Sequence, residues 1–295
     1  MGTRSGGIDP SVVTYLANKE HLTPDQIGKR LKKLPYSDSR GESGMSGKLH
    51  LAEAADGTKY LVKSNPVDVA NEFVAHKLAK MIGVPTSDAV LIKTDRTVKV
   101  GIVFEPDFKR VSMDEFVGVE KADDDDDPLF FDGSKGVWVG RNPPQNPSAG
   151  KYSDDDPFLA ELMAYLSFRD LIVIQDNPQL AFAGGHLISF DYAESFYLTD
   201  VTFSGILRGH GLSHPVGLFA NHLHLASGYR NTIEILHRPN TDFLLDAFLA
   251  PVFAFQDADF QPILDDLNAV FPTTVSAFYS ACFDYTRSQI AKLAE

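Results

Sequence analysis

The hydrophobic period changes once between residues 48 and 82, and that change constrains the fold of this 295-residue chain more than any other feature. Lys48 to Ala54 and Lys59 to Lys63 read as strands. Ala55-Asp56-Gly57-Thr58 joins them, and an Asp-Gly pair between two such runs is a strong hairpin signal. From residue 67 the apolar positions shift to helical spacing. Val69, Phe73, Ala75, Leu78, Ala79 and Ile82 fall near one stripe, with Lys77 and Lys80 off it. Gly83 and Pro85 then supply an end signal. Ala89 to Ile92 and Val98 to Phe104 read as two further strands. The first 105 residues therefore predict a β-sheet with one helix packed across it, an α+β lobe.

The flanking sequence has a different character. Residues 9–34 predict two short helices. Thr23 caps the second, Pro24 opens it and Gln26 completes a capping box, with Lys29-Arg30-Leu31-Lys32-Lys33 as its exposed face. Residues 35–47 are rich in Ser and Gly and read as a loop. Residues 105–157 hold a run of five Asp at 123–127, a Pro-rich stretch at 142–147 and a second acidic run at 154–156. Like charges repel, so these runs read as solvated loop, with Gly136 to Arg141 more ordered between them. They lack the Gly turn and terminal Glu of a calcium loop. A second, helical region then begins, with Asp156 as cap and Pro157 in the first turn. Leu171-Ile172-Val173-Ile174 is apolar on every side and predicts deep burial. Leu180 to Ala183 and Leu187 to Phe190 predict a hairpin across Gly184-Gly185. Residues 241–255, 257–270 and 273–294 predict helices. The expected division is a helical extension at 1–43, a first lobe at 44–105, a hinge region with the acidic insert at 106–156, and a helical second lobe at 157–295.

Composition removes several classes of function. The formal charge is −13, whereas a broad nucleic-acid surface needs clustered Lys and Arg, so nucleic acid is not the expected main partner. Cys282 is the single cysteine, which leaves no internal disulfide and no Cys-rich zinc site. No stretch reaches the ~18 unbroken apolar residues of a membrane span. The N-terminus shows no apolar signal region, and Gly6 leaves a myristoylation pattern incomplete. The expectation is a cytoplasmic protein without membrane contact; a secreted effector lacking an ordinary signal fits the same features. His222 and His224, with His210 and His214 nearby, make only a weak case for zinc: helix positions two apart lie on different faces, and a zinc site usually needs three or four protein ligands. No G-x-S-x-G elbow accompanies the serines near them.

A nucleotide-phosphate site needs glycines where backbone approaches phosphate, a fixed cation, an acid to hold that cation, and oxygen ligands for magnesium. Gly44, Ser46 and Gly47 precede the first strand. Lys63 ends the second strand, and Glu72 lies on the helix that follows. Asp191 stands at the end of the apolar strand Leu187-Ile188-Ser189-Phe190. Asp176 and Asn177 follow the apolar run at 171–174. Each feature alone is commonplace: a loop, a strand-end lysine, an acid in a helix's early turns, a turn Asp. Their order makes the pattern.

That order resembles the HipA-like kinases. Tyr60-Leu61-Val62-Lys63, then Ala70-Asn71-Glu72-Phe73-Val74-Ala75 with Leu78-Ala79, then Ile82-Gly83-Val84-Pro85, is similar to the family's lysine strand, helix and exit. Gly136 to Arg141 resembles the segment leading to its second lobe. Phe168 to Asp176 resembles the helix end that delivers its catalytic Asp, Asn177-Pro178-Gln179-Leu180 its Asn-Pro-Asn-Leu segment, and Ile188 to Ser195 its metal-binding motif. The resemblance covers roughly residues 44–294 without the acidic insert. It implies a two-lobed protein-kinase-like fold, related to the phosphoinositide kinases, that uses ATP and Mg2+ to phosphorylate Ser or Thr of a protein substrate. Carried across, Lys63 would hold the α- and β-phosphates and Glu72 would orient it. Asp176 would be the catalytic base, and Asn177 and Asp191 the magnesium ligands.

One departure bears on activity. The family spaces its Asp and Asn by several residues, whereas Asp176 and Asn177 are adjacent, and an Arg is missing. Adjacent residues cannot take the positions of residues five apart. Gln179 is then an alternative metal ligand. Alternatively, Phe168-Arg169-Asp170 resembles the His-Arg-Asp of ordinary protein kinases, which would make Asp170 the base and put Gln175 in the Asn position. Besides an active kinase, the sequence accommodates a pseudokinase or nucleotide-binding interaction module, and AMP transfer on the same scaffold.

Overall fold

The computed structural model describes residues 32–34, 50–53, 57–93, 97–105, 107–111, 116, 129–132, 137–140, 156–176, 178–225 and 242–293. Five strands form an antiparallel sheet: β1 (Lys32–Leu34), β2 (His50–Glu53), β3 (Lys59–Lys63), β4 (Ala89–Lys93) and β5 (Val98–Val103), in the order β1-β2-β3-β5-β4. Helix α1 (Pro66–Met81) lies between β3 and β4 in the chain and packs against β4 and β5. The predicted period switch is therefore present. Pro66 opens the helix, and Gly83 follows it at φ 81°, a left-handed conformation that glycine adopts without steric cost.

The sheet extends one strand further than expected. Lys32–Leu34, read in sequence as the end of a helix, pairs with β2, with Lys33 opposite Ala52. Three residues carry too little periodicity to reveal a strand, and pairing with an existing edge overrides local preference. Residues 105–157 hold more strand than the one ordered stretch expected at Gly136 to Arg141, where a strand spans Val137–Gly140. β6 (Lys109–Val111) joins a second sheet, and β7 (Leu129–Asp132) pairs with β8 (Val137–Gly140). The acidic runs at 123–127 and 154–155 lie outside the described residues.

In the second region, Asp156 accepts a hydrogen bond from the Phe158 N–H at 2.9 Å and starts α2 (Pro157–Ile172), as its sequence predicts. Leu171 to Ile174 are all buried. The hairpin β9 (Leu180–Ala183) and β10 (His186–Ser189) turns at Gly184 and Gly185, both at positive φ. β6 completes this sheet in the order β10-β9-β6, and the Asp107 carboxylate accepts the Gly184 N–H at 2.9 Å. Among the described residues five helices follow: α3 (Asp200–Leu207), α4 (Ser213–His222), α5 (Asp242–Asp257), α6 (Gln261–Asn268) and α7 (Thr273–Leu293). α5 packs along α2, and α7 contacts α3, α4, α5 and α6. Sequence patterning delimits α5, α6 and α7, whereas α3 and α4 fall in the part of the second lobe expected only in general to be helical.

One hydrophobic core runs from α1 and its face of the first sheet through α2 to α5, α6 and α7. A smaller cluster of Ala52, Val62, Val90 and Ile92 covers the other face of that sheet. Among the described residues no helix is long and apolar enough to cross a membrane.

Candidate functional site

Strand alternation sets Lys63 on the same face as Leu61, toward α1, while Val62 points to the opposite cluster. Glu72 stands on α1 directly across from it. The Lys63 ammonium donates to Glu72 Oε1 and, at 2.6 Å, to Asp191 Oδ1. One cation thus joins three elements: β3, α1 and the segment after β10. The Glu72 side chain is fully buried, whereas that of Asp191 is 38% exposed, so Asp191 is the most accessible member of the trio.

The charges reinforce this arrangement. Burial pulls the Lys63 ammonium down, but Glu72 and Asp191 overcome it and hold its pKa above the usual value. Burial pushes the Glu72 carboxyl up, and Lys63 with His76 more than reverses this, down to about 2. Asp191 shifts the other way. Burial raises it, Lys63 offsets only part of the rise, and Glu72 and Asp176 add repulsion. A single ammonium shared between two carboxylates does not neutralise both.

Asp191 sits at φ 62°, left-handed, and Phe196 and Tyr197 follow at φ 59° and 51°. Such conformations cost non-glycine residues on the order of 1 kcal/mol each. Neighbours hold them in place. Phe196 is buried against Tyr279 and Phe283, and the Tyr197 ring stacks on His222 at 3.7 Å between centroids. Asn71, adjacent to Glu72, fixes the same turn. Its amide donates to the Ala193 and Ser195 carbonyls at 2.6 and 3.0 Å, and its oxygen accepts from the Tyr279 hydroxyl at 2.8 Å.

Asp176 is delivered by the end of α2. Val173 caps that helix in a left-handed conformation, and the buried Arg169 guanidinium donates to the Tyr165 hydroxyl at 2.7 Å and to the Ile174 and Asp176 carbonyls. The Gln175 N–H reaches the Glu194 carbonyl at 3.0 Å, which draws this turn to the one after Asp191. Asp176 lies close enough to raise both Asp191 and Glu194. Glu194 is pushed up first by burial, then by Asp176, Asp191 and Asp68.

The structure therefore brings Lys63, Glu72, Asp176 and Asp191 together. Asp170 belongs to α2, half-buried, where burial raises its carboxyl to about 7 against a partial offset from Arg169. The Gln179 amide oxygen lies 3.5 Å from Arg110 Nη2 on β6. Gly44, Ser46, Gly47 and Asn177 lie outside the described residues. Sequence reasoning missed Asn71, His76 and Glu194. Asn71 and His76 lie inside the helix quoted for its Glu, but nothing in their spacing marks them as buried polar groups.

Among the described residues no group of three or more His, Cys, Asp or Glu side chains is arranged to hold a metal by itself. Magnesium does not require one, since it is commonly bound through one or two carboxylates plus substrate phosphates. Asp191 fits that part. It is a hard oxygen donor, accessible, and crowded by other carboxylates whose repulsion a divalent cation would relieve.

The acetokinase family model matches residues 1–102, about a third of the chain. Acetate kinase of Lachnoclostridium phytofermentans is 29% identical over 126 residues, 39% of this chain and 30% of the relative. That of Methanosarcina thermophila is 40% identical over 85 residues, 28% of this chain and 19% of the relative. The chain thus spans less than a third of the length of these curated relatives, and the matched family segment stops before Asp176 and Asp191. Among solved structures, the Helicobacter pylori proinflammatory kinase CtkA superposes with a TM-score of 0.50 at 13% identity, covering 84% of this chain and 96% of that one. A Shewanella oneidensis HipA, in a complex with HipB and operator DNA, gives a TM-score of 0.31 at 9% identity, too low to carry an argument. The chain has a kinase-like fold of two lobes, and the Lys63–Glu72–Asp191 cluster lies where those lobes meet.

Proposed function

We propose that the protein is a HipA-like phosphotransferase that moves the γ-phosphoryl group of ATP, with Mg2+, to a Ser or Thr hydroxyl of a protein. The observation that carries this reading is the sharing of one Lys63 ammonium between buried Glu72 and accessible Asp191. Glu72 is committed to Lys63, while Asp191 is exchangeable. On nucleotide binding Lys63 would turn from Asp191 to the α- and β-phosphates, still held by Glu72, and Asp191 would be released to ligate the metal. Magnesium, when bound, supplies charge neutralisation across the phosphates. Asp176, held by Arg169 through its own carbonyl, would accept the proton of the attacking hydroxyl. Asn177 or Gln179 would complete the metal site, with Gly44, Ser46 and Gly47 near the phosphates.

The adjacency of Asp176 and Asn177 favours a second reading, a nucleotide-binding module without turnover, because positioning supplies most of phosphoryl-transfer catalysis. The test is transfer from γ-labelled ATP with Mg2+, scored on the protein itself and on casein as a generic acceptor. Label above the Asp191→Ala background is expected, and equal background in both proteins defeats the kinase reading. ATP-dependent thermal stabilisation without transfer supports the binding module. Label arriving from α-labelled ATP instead indicates AMP transfer. Acetate offered as acceptor in the same assay tests the chemistry named by the partial acetokinase match.

A further inference from the structure

Glu72 has a second carboxylate oxygen, and the site described so far does not use it. Oε2 points away from Lys63 and lies 3.3 Å from His76 Nε2, one helical turn along α1. Both atoms are buried, and neither has a hydrogen-bond partner elsewhere among the described residues. The other ring nitrogen is engaged. His76 Nδ1 is 2.7 Å from the Thr86 hydroxyl and 3.0 Å from the Ser87 carbonyl. Thr86 also donates to the Ser189 carbonyl at 3.2 Å, and a parallel bridge pairs these two residues. Ser189 ends β10, two residues before Asp191. The Tyr192 hydroxyl contacts Ser189 Oγ, and its ring meets His76 edge-on at 4.8 Å.

These contacts close a ring: Asp191, Lys63, Glu72, His76, Thr86, Ser189 and back along the chain to Asp191. We propose that His76 is a positioning residue that holds Glu72 from the side opposite Lys63 and, through Thr86, ties that carboxylate to the strand end carrying Asp191. The tautomer follows from what each nitrogen touches. A bare Nε2 lone pair against a carboxylate oxygen repels, so Nε2 carries a hydrogen that Glu72 accepts. The imidazolium satisfies every contact, with Nδ1–H donating to the Ser87 carbonyl and the Thr86 hydroxyl hydrogen left for the Ser189 carbonyl. In the neutral form Nδ1 needs that hydroxyl hydrogen, and Thr86 then meets Ser189 through the backbone bridge alone. Either leaves Glu72 held at both oxygens, so it cannot rotate away when Lys63 leaves Asp191. The kinetic consequence rests on the phosphotransferase reading, whereas the structural one does not.

The test separates the two. His76→Gln places an amide N–H near the position of Nε2, while His76→Leu fills the space without a donor. Lys63 acylation by an amine-reactive reagent, followed by peptide mass spectrometry, reads how firmly Glu72 holds the ammonium, whatever the protein's activity. Labelling is expected to be faster in His76→Leu and close to wild type in His76→Gln. Turnover in phosphoryl transfer is expected to fall about tenfold in His76→Leu and less than about threefold in His76→Gln. Equal labelling in all three proteins, or equal loss in both variants without rescue by Gln, overturns the proposal and makes His76 a packing residue. Absence of transfer in wild type defeats the phosphotransferase reading alone, because labelling still decides the role of His76. Should His76→Leu not fold, Thr86→Val loosens His76 while keeping its site filled, and unchanged Lys63 labelling in that variant is the overturning result.

Discussion

Asp170 and Asp176 are both acids near the end of α2, and their surroundings assign them different work. Asp170 is set into the helix where burial raises its carboxyl to about 7, while Asp176 stands beyond the Val173 cap in the electrostatic field of Asp191 and Glu194. A raised folded pKa means that the folded chain keeps a proton the unfolded chain has lost. Its contribution to stability is complete below the unfolded value and declines as pH rises through about 7. Asp170→Asn is therefore expected to leave stability unchanged near pH 4, where Asp170 carries its proton in the folded chain. Partial exposure screens the effect, so the gain above pH 7 should be on the order of 1–2 kcal/mol. Urea titrations from pH 4 to 8 check this, and phosphoryl transfer by the same variant checks the choice of Asp176 as base. Persistent activity is expected; its abolition without loss of folding moves the base to Asp170. At this scale Lys63, Glu72 and Asp191 were legible because each ends or faces an element whose pattern is local. Glu194 was not, because only the fold of the 190–197 turn brings it to Asp176.

At the scale of elements, α1 is the piece on which the site depends. Its apolar stripe and its Pro66 start were readable, as was the Gly83 stop, since 3.6-residue spacing and caps are written in neighbouring residues. What it does with its polar residues was not readable. Asn71 is fully buried and spans three elements: α1, the turn at 193–195 and α7. Its partners lie more than 120 residues away in sequence. Asn71→Ala removes three hydrogen bonds at once and leaves two carbonyls and a phenol buried or half-buried with a partner lost. Each lost bond with a stranded partner costs about 1–3 kcal/mol, so the variant is expected to lose roughly 3 kcal/mol or more. Equilibrium urea unfolding measures it. Asn71→Asp keeps the acceptor for Tyr279 but faces two carbonyls with a carboxylate, and a loss at least as large is expected. β1 and β6 escaped prediction for the same reason as Asn71. Each is three residues long and is made a strand by a distant partner, β2 or β9.

Across the whole molecule, a single core joins the two lobes, and α7 ties into both through Tyr279 to Asn71 and Thr286 to the Leu171 carbonyl. A ligand that binds at the junction should therefore shift one cooperative thermal transition rather than the melting of one lobe. With free ligand at a hundredfold over Kd the stabilisation is about 2.7 kcal/mol. For a chain of this size that corresponds to a rise of roughly 4–5 °C in Tm. The Lys63 pairing adds a specific expectation. On the proposed reading, nucleotide would first have to take Lys63 from Asp191 in wild type, and only the metal would give Asp191 a new partner. ATP with Mg2+ should therefore raise Tm more than ATP in EDTA. Asp191→Ala removes both the competitor for Lys63 and the metal ligand. Its shift with metal-free ATP should equal or exceed that of wild type, while the increment from Mg2+ disappears. Thermal denaturation of the two proteins under the two conditions gives four numbers. An Mg2+ increment that survives in Asp191→Ala would show that the metal is held elsewhere. A smaller metal-free shift in that variant would show that Asp191 assists, rather than competes with, the binding of phosphate by Lys63.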